Sequence, residues 1–174
     1  MQPEIKAQIC ASIADFTLPV YHEIPDVGLY LEQTAKYISD YLAPVLAQPV
    51  TGSMISNYVK KGLIAKPVHK QYGREQIAQL IFIATVKSII SMDDLQIVME
   101  VQRATYSSEI AYNYFRREFK RILSYVFEHE DALNPIGPNA TDEKIMLHNI
   151  IITVAHKVYL EKLVAALRAQ TKPE

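Results

Sequence analysis

An all-α fold is expected from three features of the sequence. Almost every long segment repeats its apolar residues at intervals of three and four, the helical period. Helix-starting residues, Thr51, Ser91 and Thr141 among them, stand just ahead of those segments. Only residues 65–73 could hold a small β hairpin.

Taken in order, residues 1–26 form a loose arm in which Pro19 and Pro25 bracket Tyr21-His22-Glu23-Ile24. A first helix is predicted from Asp26, its N-cap, to Leu46, with Leu31, Ala35, Ile38, Leu42 and Val45 inward and Pro44 and Pro49 ending it. Thr51 or Ser53 caps a short second helix that buries Ile55 and Val59 with Tyr58 beside them. Gly62 occupies the left-handed C-cap position, and Leu63-Ile64 return to the core. The next helix spans 74–90, with Ile77, Leu80, Ile81, Ala84 and Ile89 or Ile90 inward. Ser91-Met92-Asp93-Asp94 is a capping box with Asp in place of Glu, and it opens a helix to about Arg103 through Leu95, Val98 and Met99. Ser107 or Ser108 starts a helix to Glu130 whose stripe is Ile110, Tyr114, Phe115, Phe119, Ile122, Leu123, Val126 and Phe127; Tyr106, Tyr112, Tyr114 and Tyr125 are read as its rim. Asn134-Pro135-Ile136-Gly137-Pro138-Asn139 is a loop of breaker residues. A last helix, capped by Thr141 and reaching Gln170, is apolar nearly all round, a pattern that one small domain does not absorb and that predicts a homodimer.

Net charge is −1 and the sequence pI about 6.5, but charge is segregated along the chain. Residues 1–40 set Lys6 and Lys36 against six acids. Residues 41–74 contain no acid and carry Lys60, Lys61, Lys66, Lys70 and Arg74. Residues 75–102 are acidic again, residues 103–121 are basic through Arg103, Arg116, Arg117, Lys120 and Arg121, and the cluster Arg116-Arg117-Lys120-Arg121 is read as a solvated helix face. A basic run around a capped helix suits a polyanion, because Lys and Arg neutralise phosphates and a helix N-terminus offers free N–H groups. The 49% hydrophobic content supports a real core, so disorder is not expected. Cys10 is the only cysteine and has no disulfide partner; together with the absence of a secretory signal pattern this sets the expectation of a cytoplasmic protein. The most apolar run, residues 77–90, is short of a bilayer span, so no membrane segment is expected. His148 and His156 are eight apart and no Cys pair exists, so neither a metal site nor another cofactor is expected. No placed nucleophile or Gly-rich phosphate loop appears either, and the chain is read as a non-enzyme.

The order helix, short basic helix, Gly-Leu-Ile, short wing, helix and Ser-capped acidic helix resembles the DNA-binding head of MerR-type winged helix-turn-helix regulators. Ile55, Tyr58, Gly62, Leu63, Tyr72, Glu75, Ile77, the run Ile90-Ser91-Met92-Asp93-Asp94-Leu95, and Val98-Met99 carry the likeness. The phrase Pro25-Asp26-Val27-Gly28-Leu29-Tyr30-Leu31-Glu32-Gln33 also resembles an uncharacterised bacterial family that joins such a head to extra helices. The resemblance implies a DNA-binding domain at 27–103, followed at 104–174 by helices for dimerisation or an effector. It implies that the second helix enters the major groove of double-stranded DNA. Thr51, Ser53, Ser56, Asn57 and Lys60 then face the duplex. Lys60, Lys61, Lys66, Lys70 and Arg74 hold the backbone, and Tyr72 beside the wing is the one tyrosine expected at nucleic acid. The function expected is transcription regulation. Two alternatives stand beside it: a protein-interaction module that has lost DNA binding, since Ser53 and Ser56 occupy places where such heads carry arginine, and a regulator gated by a small-molecule effector held in the C-terminal helices.

Overall fold

In the computed structural model, residues 3–128 and 140–171 are described, and they are mostly helical. The elements are α1 (Pro3–Ala11), β1 (Leu29–Tyr30), α2 (Leu31–Leu42), α3 (Gly52–Lys60), β2 (Gln71–Tyr72), α4 (Arg74–Val86), α5 (Met92–Thr105), α6 (Ser108–Glu128) and α7 (Asp142–Thr171), with a 3-10 turn at Tyr21–Glu23. The all-α expectation holds. The chain divides into two compact units, Thr17–Arg117 and a second made of Met1–Phe16 with Glu118–Glu174. The unit that holds the basic segment is thus wider than 27–103. The loop at 134–139 and His129 lie outside the described residues.

In the unit Thr17–Arg117, α4 is the hub. Ile77, Ala78 and every residue from Leu80 to Val86 are buried, because apolar side chains lie on all sides of this helix rather than on one stripe. α2 packs against α3 and α4, and Ile38, Leu42, Ile55, Leu63, Ile81 and Leu95 are each 0–1% exposed in the core. Burying one such side chain contributes about 1.5–3 kcal/mol. The helix starts are local: Thr51 Oγ1 accepts from Met54 N at 3.3 Å, and Ser91 Oγ accepts from Asp94 N at 3.1 Å. At the end of α3, Gly62 takes φ 75°, Leu63 N donates to Tyr58 O and Gly62 N to Val59 O, which satisfies the last carbonyls of the helix.

Several expectations are corrected here. α2 is a 12-residue helix beginning at Leu31, not at Asp26. Gly28 (φ 79°) turns the chain so that Leu29 and Tyr30 pair antiparallel with Tyr72 and Gln71, and a Cβ on Gly28 would lie 2.9 Å from Gln71 Cβ. Tyr30 is the N-cap residue, its N–H donating to Gln33 Oε1 at 2.9 Å, while Asp26 pairs with Arg74 at 3.5 Å. The segment 65–73 is not a free-standing hairpin: Val68 bridges Gln71, and β2 joins β1. α4 ends at Val86 rather than at 90. Nor is the arm loose. Leu18 and Ile24 are buried, and the Tyr112 hydroxyl donates to Pro19 O at 3.0 Å. Tyr112 is therefore a core residue, 3% exposed, whereas Ile110 of the expected stripe is 58% exposed.

In the other unit α1 packs on α7 through Ile5 and Ile9. Phe119, Ile122, Leu123, Val126 and Phe127 of α6 are buried, and so are Ile150, Ile151, Val154, Ala155 and Val158 of α7. Phe16 meets Phe119 edge-on at 5.6 Å, Phe127 meets Tyr159 at 5.3 Å, and the Cys10 thiol donates to Phe127 O at 2.9 Å. Arg121 pairs with Glu118 at 2.7 Å. The C-terminal half of α7 leaves Leu160, Val164 and Leu167 between 43% and 57% exposed, so the helix is not buried on every side within its own chain. Among the described residues no helix is long and apolar enough to cross a membrane.

Candidate nucleic-acid interface

α3 is amphipathic in a way that decides what it can present. Ile55 and Tyr58 are buried at 0% and 3%, while Ser53, Ser56, Asn57 and Lys60, at helical spacing on the opposite side, are all exposed. Thr51 is exposed as well and lies 2.9 Å from Ser53, hydroxyl to hydroxyl. The face therefore offers hydroxyl and amide groups along its first two turns and ammonium groups at its end. Lys61 follows as the C-cap residue, and Lys66 stands exposed on the segment that leads from Gly62 to the strands.

That segment closes in a two-residue turn between Val68 and Gln71, whose backbones exchange hydrogen bonds of 3.1 and 2.9 Å. Both turn residues are left-handed, His69 at φ 50° and Lys70 at φ 65°. This is the hairpin turn that Asn-Gly adopts without strain; here two residues with Cβ atoms hold it, each at a cost of about 1–2 kcal/mol. His69 and Lys70 are exposed at the tip, with Val68 69% exposed beside them. Among the described residues none of Lys60, Lys61, Lys66 and Lys70 is held in an ion pair.

Two expected contact residues are not available. Tyr72 is 4% exposed, its ring packed into the core as part of β2, so it has no face to offer a base. Arg74 is already engaged: Nε donates to Ile24 O at 2.8 Å, Nη2 to His22 O at 3.3 Å, Nη1 lies 3.5 Å from Asp26, and the guanidinium sits over the Tyr21 ring at 5.9 Å. It ties the arm to the start of α4. Its charge belongs to the fold.

Three residues that the sequence reading placed elsewhere bear on this face. Glu32, from the first turn of α2, places its carboxylate beside Gly52, the first residue of α3: a Cβ on Gly52 would lie 3.2 Å from Glu32 Cδ and closer still to Oε1. The N-terminus of α3 is therefore not the open phosphate seat that the acid-free run 41–74 suggested. A glycine at the first helical position was the available signal. Lys87, at the C-cap of α4, reaches back to α3, with Nζ 3.6 Å from Met54 Sδ and 6.0 Å from the centre of the Tyr58 ring. Burial lowers the pKa of this ammonium, and the same desolvation pushes the Tyr58 hydroxyl up to about 12. Arg103 of α5 donates to Leu63 O, just beyond the α3 cap, and so fixes the end of that helix.

A family model described as a domain of unknown function (DUF1836) matches residues 19–115, more than half of the chain and almost the whole of the unit Thr17–Arg117, and the chain belongs to that family. No curated protein and no solved structure matches the chain.

Proposed function

We propose that this protein binds double-stranded DNA through α3 and the turn at His69-Lys70, as a transcription regulator with a MerR-like winged helix-turn-helix head. One observation carries the reading: the polar side of α3 and the lysines that follow it, Lys61, Lys66 and Lys70, are exposed without ion-pair partners among the described residues, while the opposite side of the same helix is sunk in the core. In this arrangement Ser53, Ser56 and Asn57 point to base edges, where Asn pairs with adenine through two hydrogen bonds and Ser serves several bases. Lys60, Lys61, Lys66 and Lys70 hold phosphates and set affinity rather than sequence choice. Tyr72 and Arg74 build the platform and take no part in contact.

The reading includes a homodimer. Leu160 and Val164 on the last turns of α7 give an exposed apolar side that a second chain would cover, and two heads related by a two-fold axis read a pseudo-palindromic site. The test is a fluorescence-anisotropy titration of a labelled duplex with the wild type and with Lys60→Glu/Lys61→Glu. Binding by the wild type at two chains per duplex, and its loss in a variant with an unchanged circular-dichroism spectrum, supports the reading. Equal binding by the two proteins removes α3 from the interface.

A further inference from the structure

We propose that Glu32 is a specificity-determining residue of this face: its carboxylate, lying beside Gly52, repels phosphate from the first turn of α3 and so suppresses binding to duplex of arbitrary sequence. The inference rests on the DNA-binding reading. Three features support it. Residues 41–74 contain no acid, yet the fold returns one to them from α2. A side chain on Gly52 would crowd this position, its Cβ 3.2 Å from both Glu32 Cδ and Leu31 Cδ2. Glu32 has no cationic partner among the described residues, so its charge is not cancelled locally.

A helix N-terminus attracts any anion that can reach it. With the carboxylate beside it, the first turn of α3 offers a phosphate less attraction and a like charge, and like charges brought together count against the wrong partner. Specificity is a difference of affinities, so a group that weakens every phosphate contact sharpens choice where base edges compensate. The amino group of cytosine, a donor in the major groove, is one edge a carboxylate accepts from. Lysines alone on this face would bind all duplexes alike.

The experiment titrates a labelled duplex of randomised sequence with the wild type, Glu32→Gln and Asp40→Asn at several salt concentrations. Asp40, exposed on the same helix and paired with Lys36 at 2.7 Å, changes the net charge equally but stands elsewhere. Circular dichroism establishes that each variant is folded. Glu32→Gln is expected to bind about fivefold tighter, the effect of one pair of unit charges about 4 Å apart in water, with a log-log salt slope steeper by up to about one. Asp40→Asn is expected to match the wild type. A Glu32→Gln protein no tighter than the wild type, or an Asp40→Asn protein that gains as much, overturns the role of Glu32 while the DNA-binding reading stands. Failure of the wild type and both variants to bind at about 50 mM salt overturns that reading and this one together.

Discussion

Replacing His69-Lys70 by Asn-Gly tests the strained turn directly. Both residues sit at positive φ, both side chains are exposed, and the hydrogen bonds that close the turn run between the backbones of Val68 and Gln71. The substitution therefore removes no core contact. Relief of two left-handed residues is worth about 1–2 kcal/mol each. Asn retains part of that cost, and the added freedom of Gly in the unfolded chain returns about 0.5–1 kcal/mol. The net is about 1 kcal/mol of stabilisation, which raises the melting temperature by about 2–4 °C in a chain of this size. Thermal unfolding followed by circular dichroism reads the first effect. The second is a loss in DNA binding, since removing Lys70 takes away one phosphate contact and flattens the log-log salt slope by about 0.9. A variant that melts at or below the wild-type temperature refutes the strain argument. One that melts higher and binds with an unchanged slope shows that the strain is unrelated to DNA.

Two further outcomes follow from the same contacts. Arg74→Ala is expected to cost about 1–3 kcal/mol in chemical denaturation, because it removes charged hydrogen bonds to Ile24 O and His22 O, while leaving the salt slope of duplex binding unchanged; a stable variant with a flatter slope would return Arg74 to the interface. Lys87 predicts a pH dependence. Burial holds its folded pKa below the unfolded value, so between the two the unfolded chain binds more protons, and the contribution of this site to stability rises as pH climbs from the lowered value towards 10.5. Denaturation midpoints taken from neutral pH to just under 10.0, below the range where the raised Tyr58 begins to oppose folding, should rise more steeply in the wild type than in Lys87→Met. Parallel curves would contradict the burial of that ammonium.

What could be read from sequence was what neighbours along the chain determine. Thr51, Ser91 and Gly62 act within one helical turn of themselves, and each does in the fold what its residue type suggests. The exposed side of α3 follows in the same way from helical spacing, although Tyr58 rather than the expected Val59 is buried with Ile55, and Val59 is half-buried. The misses depend on distant partners. Asp26 is a good N-cap by composition, but Arg74 claims it and the pairing with Gln71 and Tyr72 draws Leu29 and Tyr30 into a strand. The arm is ordered by Arg74, Asn113 and Tyr112, none of them nearby in sequence. Linear charge counting placed Glu32 in an acidic segment, whereas the packing of α2 on α3 carries it to the basic one. Tyr72 resembled an accessible aromatic because alternation in a two-residue strand gives no hint of which side is buried.

The most direct measurement is the salt dependence of duplex binding by the unmodified protein, compared with Lys60→Glu/Lys61→Glu under the same conditions. Four exposed, unpaired lysines per head predict a log-log slope of about −3 to −4 for each head engaged, and the charge-reversed protein should show no saturable binding. A slope near zero, or a variant that binds as the wild type does, contradicts the assignment of α3 as a DNA-contacting helix.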